Sequence, residues 1–338
     1  MIRFHTQIYC IFNMGTTLLV VILTAALSAT ANNINEQCQV HMNERRITCS
    51  CIGNEEFFLP DEYNYTNIIS VFIAGCVSAN LHYSSLPEAS NLEEMIVQNI
   101  SGNLDFGIFI TSSKMKLLKL SNIGRIPTIA SYTFTTLATI DTLVIENTII
   151  ENFDEEFNYV HVSHFNVTNV TIERVNLLNM EKGATLRIVN SVLRNVETSL
   201  NLNFLNIEII DSKFKLQKPG LMSIQGDVAV VRNSIFSNVS MNLVIALAIR
   251  INGICADGKS TLRLSSEQIY SADNRLPNEI AYPRSSQHGK SFMIQNNTVC
   301  KAGNCECSKS SGQTLCPSTT PIYILICLLR MRNKRFHI

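Results

Sequence analysis

The sequence contains little charge for its length. Only 16% of the 338 residues are Asp, Glu, Lys or Arg, whereas 46% are apolar. A disordered chain would have fewer apolar residues, and a typical soluble domain would have more charged ones. Part of the apolar surplus must therefore lie outside the mature fold.

The first 31 residues account for part of this surplus. They contain one charged residue, Arg3, then an apolar run from Leu18 to Leu23, then small residues that end at Ala31. This order is typical of a secretory signal peptide. We therefore predict cleavage after Ala31 and a secreted or cell-surface location.

The sequence also lacks an excess of positive charge. Without Arg3 and the four basic residues after position 329, the chain has 22 basic and 27 acidic side chains, a net charge of −5. A nucleic-acid-binding surface needs a basic patch. This balance argues against nucleic acid as a partner.

Cysteine is missing from the whole middle of the chain, between Cys76 and Cys255. Behind a signal peptide, cysteines that are grouped at the two ends predict disulfide-bonded caps rather than zinc sites. The candidates for disulfide formation are Cys38, Cys49, Cys51, Cys76, Cys255, Cys300, Cys305, Cys307 and Cys316.

Asn-x-Ser/Thr motifs are consistent with passage through the secretory route. The expected glycosylation sites are Asn64, Asn166, Asn238 and Asn296. Two further motifs, at Asn99 and Asn169, belong to the turn column that is described next. Their side chains would escape glycosylation if they were packed inside.

One apolar pattern, at the first, fourth and sixth positions of a unit, recurs along most of the chain. Nine units start 21 to 25 residues apart, from Ile68 to Ala246, and their fourth and sixth positions are apolar throughout. In the eighth unit, these two positions are Val228 and Val230. Such alternation predicts strands with one buried face, and the regular spacing predicts a repeat protein.

A column of turn residues follows two places after each sixth position. Its members are Gly75, Asn99, Asn122, Asn147, Asn169, Asn190, Asp211, Arg232 and Gly253. Short polar side chains at a strand end can form hydrogen bonds with the backbone at a corner. Because each unit has an apolar face that it cannot bury alone, we predict a parallel β-solenoid of about nine coils with Cys-rich caps.

The segments Ile68 to Cys76 and Ile140 to Ile145 resemble the strand segment of extracellular leucine-rich repeats, and the first four cysteines resemble the amino-terminal cap of that family. The family places Asn one position later than this sequence does. The later coils, such as Leu186 to Ser191 and Ile207 to Ser212, resemble right-handed parallel β-helices instead. The resemblance implies a recognition protein with helical or irregular returning segments in the first case, and an all-strand coil in the second.

The predicted organisation has five parts. They are a signal peptide (1–31), a Cys-rich amino-terminal cap (32–67), the solenoid repeats (68–255), a Cys-rich carboxy-terminal cap or stalk (256–317), and a short apolar run with a basic tail (318–338). The run from Ile322 to Leu329 is shorter than the roughly 20 residues of a membrane span. The basic residues after it nevertheless keep a membrane tether possible.

The sequence offers little support for catalysis or for a cofactor. Gly253 to Ser260 matches a phosphate-binding pattern, but Gly253 is already explained as a turn, and Asp257 would oppose a phosphate. No two neighbouring coils place carboxylates in one outward column, as a glycan-active enzyme would need. We expect no catalytic residue, no metal site and no cofactor.

The predicted function is binding of an extracellular protein or glycan through the outward sheet face. The expected binding surface combines an aliphatic column with a charged margin, which is typical of protein interfaces. Its residues are Arg187, Val189, Glu208, Ile210, Val231 and Arg250. A glycan-active right-handed β-helix enzyme and an extracellular matrix or coat protein are the alternatives. Folding of residues 256–300 over this surface would compete with partner binding. The sequence does not fix the oligomeric state.

Overall fold

The structure is a computed structural model, and it describes most of the chain between Cys38 and Val299. The described residues are 38–51, 56–60, 63–81, 86, 89–107, 114–130, 133–134, 139–155, 157, 160–257, 259–276, 291–299 and 307. The chain divides into two units, 1–305 and 306–338, and the second is described only at Cys307. The expected signal peptide and basic tail lie outside the described residues.

The described residues form strands and connecting turns, without a helix among them. The strands are β1 (Cys38–His41), β2 (Arg46–Ser50), β3 (Glu56–Phe58), β4 (Ser70–Ala74), β5 (Ser78–Leu81), β6 (Glu94–Phe106), β7 (Lys114–Ile129), β8 (Thr139–Glu155), β9 (His161–Val189), β10 (Val192–Leu193), β11 (Val196–Ile210), β12 (Lys213–Arg232), β13 (Ile235–Asn252), β14 (Cys255–Ala256), β15 (Thr261–Ser265), β16 (Gln268–Ala272), β17 (Arg275–Leu276), β18 (Ser291–Gln295) and β19 (Thr298–Val299).

The strands stack as parallel coils, which confirms the β-solenoid, and the stack makes about ten turns. One face of the stack is continuous, and we call it the front face. It consists of β2, β4, the first parts of β6, β7 and β8, two stretches of β9, the ends of β11, β12 and β13, and then β16 and β18. Only β1 and β2 pair antiparallel among the described strands.

The later coils have three strand segments each. After the front strand, a short second strand such as β10 pairs with Lys213–Phe214 of β12 on the next coil. A third strand follows, such as Leu200–Asn203 of β11, which pairs with the matching part of β12. We call the surface of these last segments the third face. Each coil therefore encloses its core from three sides.

The core is a column of aliphatic and aromatic side chains along the stack axis. The inward residues of the front face include Val71, Met95, Leu118 and Leu143, all fully buried. Complete burial of such a side chain stabilises the fold by roughly 1.5–3 kcal/mol. On the second face, the rings of Phe214 and Phe236 stack with centroids 5.1 Å apart, which continues the column.

The turn column has left-handed backbone conformation in each coil from Gly75 to Asn296. Positive φ angles occur at Gly75, Asn99, Asn122, Asn147, Asn169, Asn190, Asp211, Asn233, Gly253, Asp273 and Asn296. Glycine adopts this conformation without strain, and Asn and Asp tolerate it better than other residues do. The conformation explains why these three residue types occupy the corner.

The side chains of the turn column form a ladder along the outside of the stack. Asn147 Nδ2 donates to Asn122 Oδ1 (2.7 Å), and Asn169 Nδ2 donates to Asn147 Oδ1 (2.9 Å). Matching bonds join Asn122 to Asn99 (3.0 Å) and Asn190 to Asn169 (3.3 Å). All five side chains are exposed. The ladder therefore lies at the surface. Asn99 and Asn169 were expected to escape glycosylation only if their side chains were packed inside, and this condition is not met.

An inward column lies one place after the turn column, and its chemistry changes along the stack. The early coils place aliphatic residues there, such as Ile100 and Ile123, whereas later coils place Ser191, Ser212 and Ser234 there. The backbone amide of Ser191 donates to Ser212 Oγ, and that of Ser212 donates to Ser234 Oγ, each at 3.2 Å. The buried hydroxyls thus satisfy corner amides of the preceding coil.

The predicted register is wrong by one residue in the eighth coil. Ala229 and Val231 face the core there, in register with Ile207 and Ile209, whereas Val228 was expected inside. The sequence of the strand, Val-Ala-Val-Val, permits either alternation. The left-handed corner is at Asn233 rather than Arg232, because asparagine tolerates a positive φ better.

The stack also extends beyond the expected range of 68–255. At its start, β2 pairs in parallel with β4. At the other end, β16 continues the front face after β13, and β18 pairs with β16. Of the two inward residues at the centre of β16, Ile269 fits the apolar pattern, but Ser271 breaks it. Ser271 is fully buried and accepts hydrogen bonds from the side-chain amides of Asn274 (3.1 Å) and Asn297 (2.6 Å).

Disulfide bonds are present near both ends of the described stack. Cys38 pairs with Cys49, which links β1 to β2, and Cys51 pairs with Cys76. Cys255 and Cys307 are also disulfide-bonded. Six of the nine predicted cysteines are thus confirmed in disulfides, and Cys300, Cys305 and Cys316 lie outside the described residues.

Candidate functional site

Five of the six predicted binding residues project outward from the front face. Arg187 and Glu208 occupy neighbouring coils and form an ion pair, with 3.2 Å between Arg187 Nε and Glu208 Oε2. Both side chains are about half exposed, at 52% and 50%, so the pair contributes little to stability. Arg250 lies two coils further along, with its guanidinium 5.1 Å from the ring centroid of Tyr270.

The sixth residue, Val231, was wrongly placed in the predicted surface. It faces the core and is 1% exposed, which follows from the corrected register of its coil. The outward column therefore runs from Val189 to Ile210 and then to Arg232. Only two aliphatic side chains are adjacent in this column, and both are partly exposed.

The corrected register places another aliphatic side chain beside this pair. Val230 points outward next to Glu208 and is followed by Arg250 in the same column. We call the group Arg187, Val189, Glu208, Ile210, Val230 and Arg250 the front patch. Its centre is aliphatic and its margin is charged, but the three aliphatic side chains lie in two neighbouring columns rather than in the single column that the sequence predicted.

The described part of residues 256–300 does not fold over the front patch. Strands β16 and β18 lengthen the front face instead, adding Tyr270 and Met293 to its outward surface. The competing expectation, coverage by these residues, is therefore wrong for the described strands. Residues 277–290 lie outside the described part.

The four expected glycosylation sites differ in their surroundings. Asn64 and Asn296 are exposed, and Asn166 is half-buried on the front face, between Val144 and Arg187 in its column. The side-chain amide of Asn238 instead donates to the carbonyl oxygen of Leu216 at 2.7 Å. A glycan on Asn238 would be attached to this same amide nitrogen, which already takes part in an internal hydrogen bond.

A groove beside the front face was not anticipated from the sequence. It has a volume of about 440 Å³ and lies at the corner where the third face turns into the front face, over four successive coils. The residues that line it are Asn203, Leu205, Gln225, Gly226, Asp227, Val244, Ile245, Ala246, Ser265, Ser266 and Glu267. Bulges at this corner break the strand register between Leu202 and Phe204 and between Gly226 and Val228. Bulges re-aim side chains, and apolar periodicity cannot reveal them.

The wall of the groove is packed closely at Gly226. A Cβ at this position would lie 1.9 Å from the carbonyl oxygen of Phe204 on the preceding coil. Glycine is therefore required there by the close approach of two backbones. The tight contact fixes the spacing of the groove residues on either side.

In the segment that matches a phosphate-binding pattern, the carboxylate of Asp257 occupies the place where a phosphate would bind. Asp257 accepts hydrogen bonds from Ser237 and Ser260, and from the backbone amides of Asn238 (3.3 Å) and Lys259 (3.1 Å). Burial acts to raise the pKa of Asp257, but these hydrogen bonds outweigh it, so the pKa is held below its ordinary value. The carboxylate takes the donors that a phosphate site would offer to a ligand.

The described residues do not contain a cluster of three His, Cys, Asp or Glu side chains that could hold a metal ion. His164, a residue of the front face, instead contacts Thr185 on the next coil, with 2.7 Å between Nδ1 and Oγ1. On the front patch, Glu208 has Arg187 and Val230 as its neighbours, so two carboxylates do not stack there.

Comparison with protein-family models, with curated proteins and with solved structures finds no match for this chain. In the part of the chain that the structure describes, no helix has the length and apolar character that crossing a membrane requires.

Proposed function

We propose that this protein is an extracellular recognition module that binds a partner protein through the front face of its solenoid. The supporting observation is the front patch, where Val189, Ile210 and Val230 lie partly exposed between Arg187, Glu208 and Arg250. An apolar centre with a charged margin is the usual composition of a protein interface. The rigid parallel strands hold these side chains in fixed positions, which lowers the entropic cost of binding.

The extracellular location rests on the amino-terminal sequence and on the disulfides. Disulfide bonds persist in oxidising compartments, and the pairs Cys38–Cys49 and Cys51–Cys76 are compatible with one. Among solenoid classes, we favour the parallel β-helix over the leucine-rich repeat. The support is the three strand segments of each later coil and the buried Ser191 to Ser234 column, which replaces an aliphatic interior at the corner.

The test uses Ile210→Asp in the purified, secreted protein. An array of extracellular proteins is probed with the wild type, and any partner that binds saturably is then titrated against the variant. We expect partner binding to fall by at least tenfold while the melting temperature is kept, because a charge replaces an aliphatic group at the centre of the contact.

The matched control is Leu221→Asp, which places the same charge at an exposed leucine on the third face. It should bind the partner as the wild type does. Equal binding by both variants, or no partner for the wild type, would contradict the proposal. A melting temperature that falls only for Ile210→Asp would show that the protein's own chain covers this residue.

A further inference from the structure

The ladder of asparagine side chains at the corner has a direction, and it ends at Asn99. In each rung the Nδ2 group donates to the Oδ1 of the preceding coil, as Asn122 does to Asn99 (3.0 Å). The preceding corner is Gly75, which has no side chain that could accept a bond from Asn99. The Nδ2 group of Asn99 therefore has no hydrogen-bond partner among the described residues.

The space beside this amide is open. A Cβ built at Gly75 would meet no atom of the described residues within 4 Å. The structure describes the corners on both sides of Asn99, at Gly75 and at Asn122, so both of its neighbours along the ladder are accounted for. The side chain of Asn99 is exposed. A group attached to its Nδ2 has room beside Gly75.

An independent signal in the sequence points to the same atom. Asn99, Ile100 and Ser101 form an Asn-x-Ser motif, which is the acceptor for N-linked glycosylation. The middle residue, Ile100, is fully buried and faces the core. Ser101 is exposed, like Asn99, so the two polar groups of the motif lie on the outside of the coil.

The second corner motif, at Asn169, has no such gap. Its Nδ2 group donates to Asn147 (2.9 Å), and its Oδ1 accepts from Asn190 (3.3 Å). Because neighbouring strands are roughly 4.8 Å apart, side chains of the adjacent coils stand on both sides of this amide. A sugar on Asn169 has to fit between or beside two occupied rungs, whereas a sugar on Asn99 displaces no contact of the described residues.

We propose that Asn99 carries an N-linked glycan, which projects into the gap that Gly75 leaves at the end of the ladder. The inference rests on the proposed extracellular location, because the sugar is added in the secretory route. The donor is a lipid-linked oligosaccharide diphosphate. A bond forms between Nδ2 and the anomeric carbon of the first sugar, and the bond from that carbon to the diphosphate breaks. The lipid diphosphate leaves, and the amide loses one proton to solvent.

The fold acts on this modification after the transfer. The sugar reaches the chain before the coil has closed, and its Oδ1 at Asn99 still accepts the bond from Asn122 when the coil forms. A chain with a sugar on an enclosed rung folds less well, and cells remove poorly folded chains. Secreted protein should therefore be enriched in chains that are glycosylated at Asn99 rather than at Asn169.

The experiment measures site occupancy in the full chain, secreted from cultured eukaryotic cells. Enzymatic deglycosylation in isotopically labelled water converts each occupied asparagine to a labelled aspartate, which peptide mapping by mass spectrometry counts. The ratio of occupied to unoccupied chains should be roughly two- to tenfold higher at Asn99 than at Asn169, the factor that corresponds to one hydrogen bond. The exposed motifs at Asn64 and Asn296 report whether the chain has entered the secretory route.

Gly75→Asn tests the gap directly. Asparagine tolerates the positive φ of this corner, +77°, and its Oδ1 would supply the missing acceptor for Asn99. Val77 at the third place keeps the substitution from creating a new motif. The ratio at Asn99 should fall by roughly two- to tenfold. The matched control, Asn122→Gly, opens the ladder on the other side of Asn99 and should leave this ratio unchanged.

The contrary results separate this proposal from the extracellular location. Ser101→Ala removes the motif and keeps every ladder side chain, so a signal at Asn99 that persists in this variant is not an N-linked glycan. An unoccupied Asn99 in protein that is glycosylated at Asn64 would overturn the proposal and leave the location intact. Absence of glycans from every motif would overturn both. Equal ratios at Asn99 and Asn169, or no response to Gly75→Asn, would overturn the role of the gap.

Discussion

Replacement of Asn147 by alanine tests the surface ladder in its most regular part. Asn147 accepts a hydrogen bond from Asn169 and donates one to Asn122, at 2.9 and 2.7 Å, and its φ is +53°. The residue is exposed and lies outside the Asn-x-Ser/Thr motifs, so neither core packing nor glycosylation complicates the result. The substitution removes both bonds and places a Cβ without a polar group in the left-handed region.

The expected loss of stability has two parts. Each exposed hydrogen bond contributes about 0.5 kcal/mol, the lower end of the net range, which gives about 1 kcal/mol for the pair. The left-handed conformation costs alanine a further ~1 kcal/mol. Asn147→Ala should therefore lower the free energy of unfolding by about 2 kcal/mol. Asn147→Gly loses the same bonds without the backbone strain, and should lose about 1 kcal/mol.

Urea denaturation followed by circular dichroism measures both changes, with the slope of the transition checked for constancy. The decisive result is which of the two variants is more stable, because only a positive φ makes glycine better tolerated than alanine. If Asn147→Gly were the less stable variant, the corner would not be left-handed. If neither variant changed stability, the side-chain ladder would contribute nothing to the fold.

Three further predictions test the register, the groove wall and the dependence of stability on acid. Leu143→Asp buries an unpaired charge and should destabilise the fold by several kcal/mol. Thr142 faces outward, so Thr142→Asp should cost less than about 0.5 kcal/mol. Equal denaturation midpoints for the two variants would mean that the register is wrong. Gly226→Ala drives a Cβ into a backbone oxygen and should lower the melting temperature sharply, so an unchanged value would refute the close contact. The Asp257 carboxylate has a lowered pKa, so its stabilisation is complete above the unfolded pKa of about 3.9 and is lost as the pH falls through the folded value. Melting curves from pH 7 to pH 2.5 should show a smaller acid loss for Asp257→Asn than for the wild type, and parallel curves would contradict this assignment.

The sequence predicted the solenoid because two independent signals repeat together. The inward aliphatic pair and the turn residue recur at the same spacing, and in most coils both agree with the structure. In the eighth coil the aliphatic pattern and the turn residue do not specify the register equally well. There the run from Val228 to Val231 fits two alternations, and the turn residue, Asn233, is the one that decides. Backbone conformation at the corner is thus the stronger constraint on register.

The groove could not be predicted from the same signals. It depends on bulges near Phe204 and Gly226, which shift the register between two faces of one coil. A periodic pattern describes each face but not the corner between them. The coil of β16 was missed for a related reason, because a buried hydroxyl at Ser271 replaces the aliphatic residue that the pattern requires.

The stacking order has a consequence for how the chain is synthesised. Each front strand pairs with the strand one coil earlier, about 20 to 25 residues before it, as Gln268–Ala272 does with Ala248–Asn252. A coil that leaves the ribosome therefore finds its template already in place, and the fold can grow from the amino-terminal end. The same order leaves the newest strand as an open edge at each step, where another chain can pair with it. Within the described strands, β18 occupies that position, with Met293 and Ile294 about half exposed. The rate at which the following residues arrive therefore governs how long each nascent edge is open to aggregation.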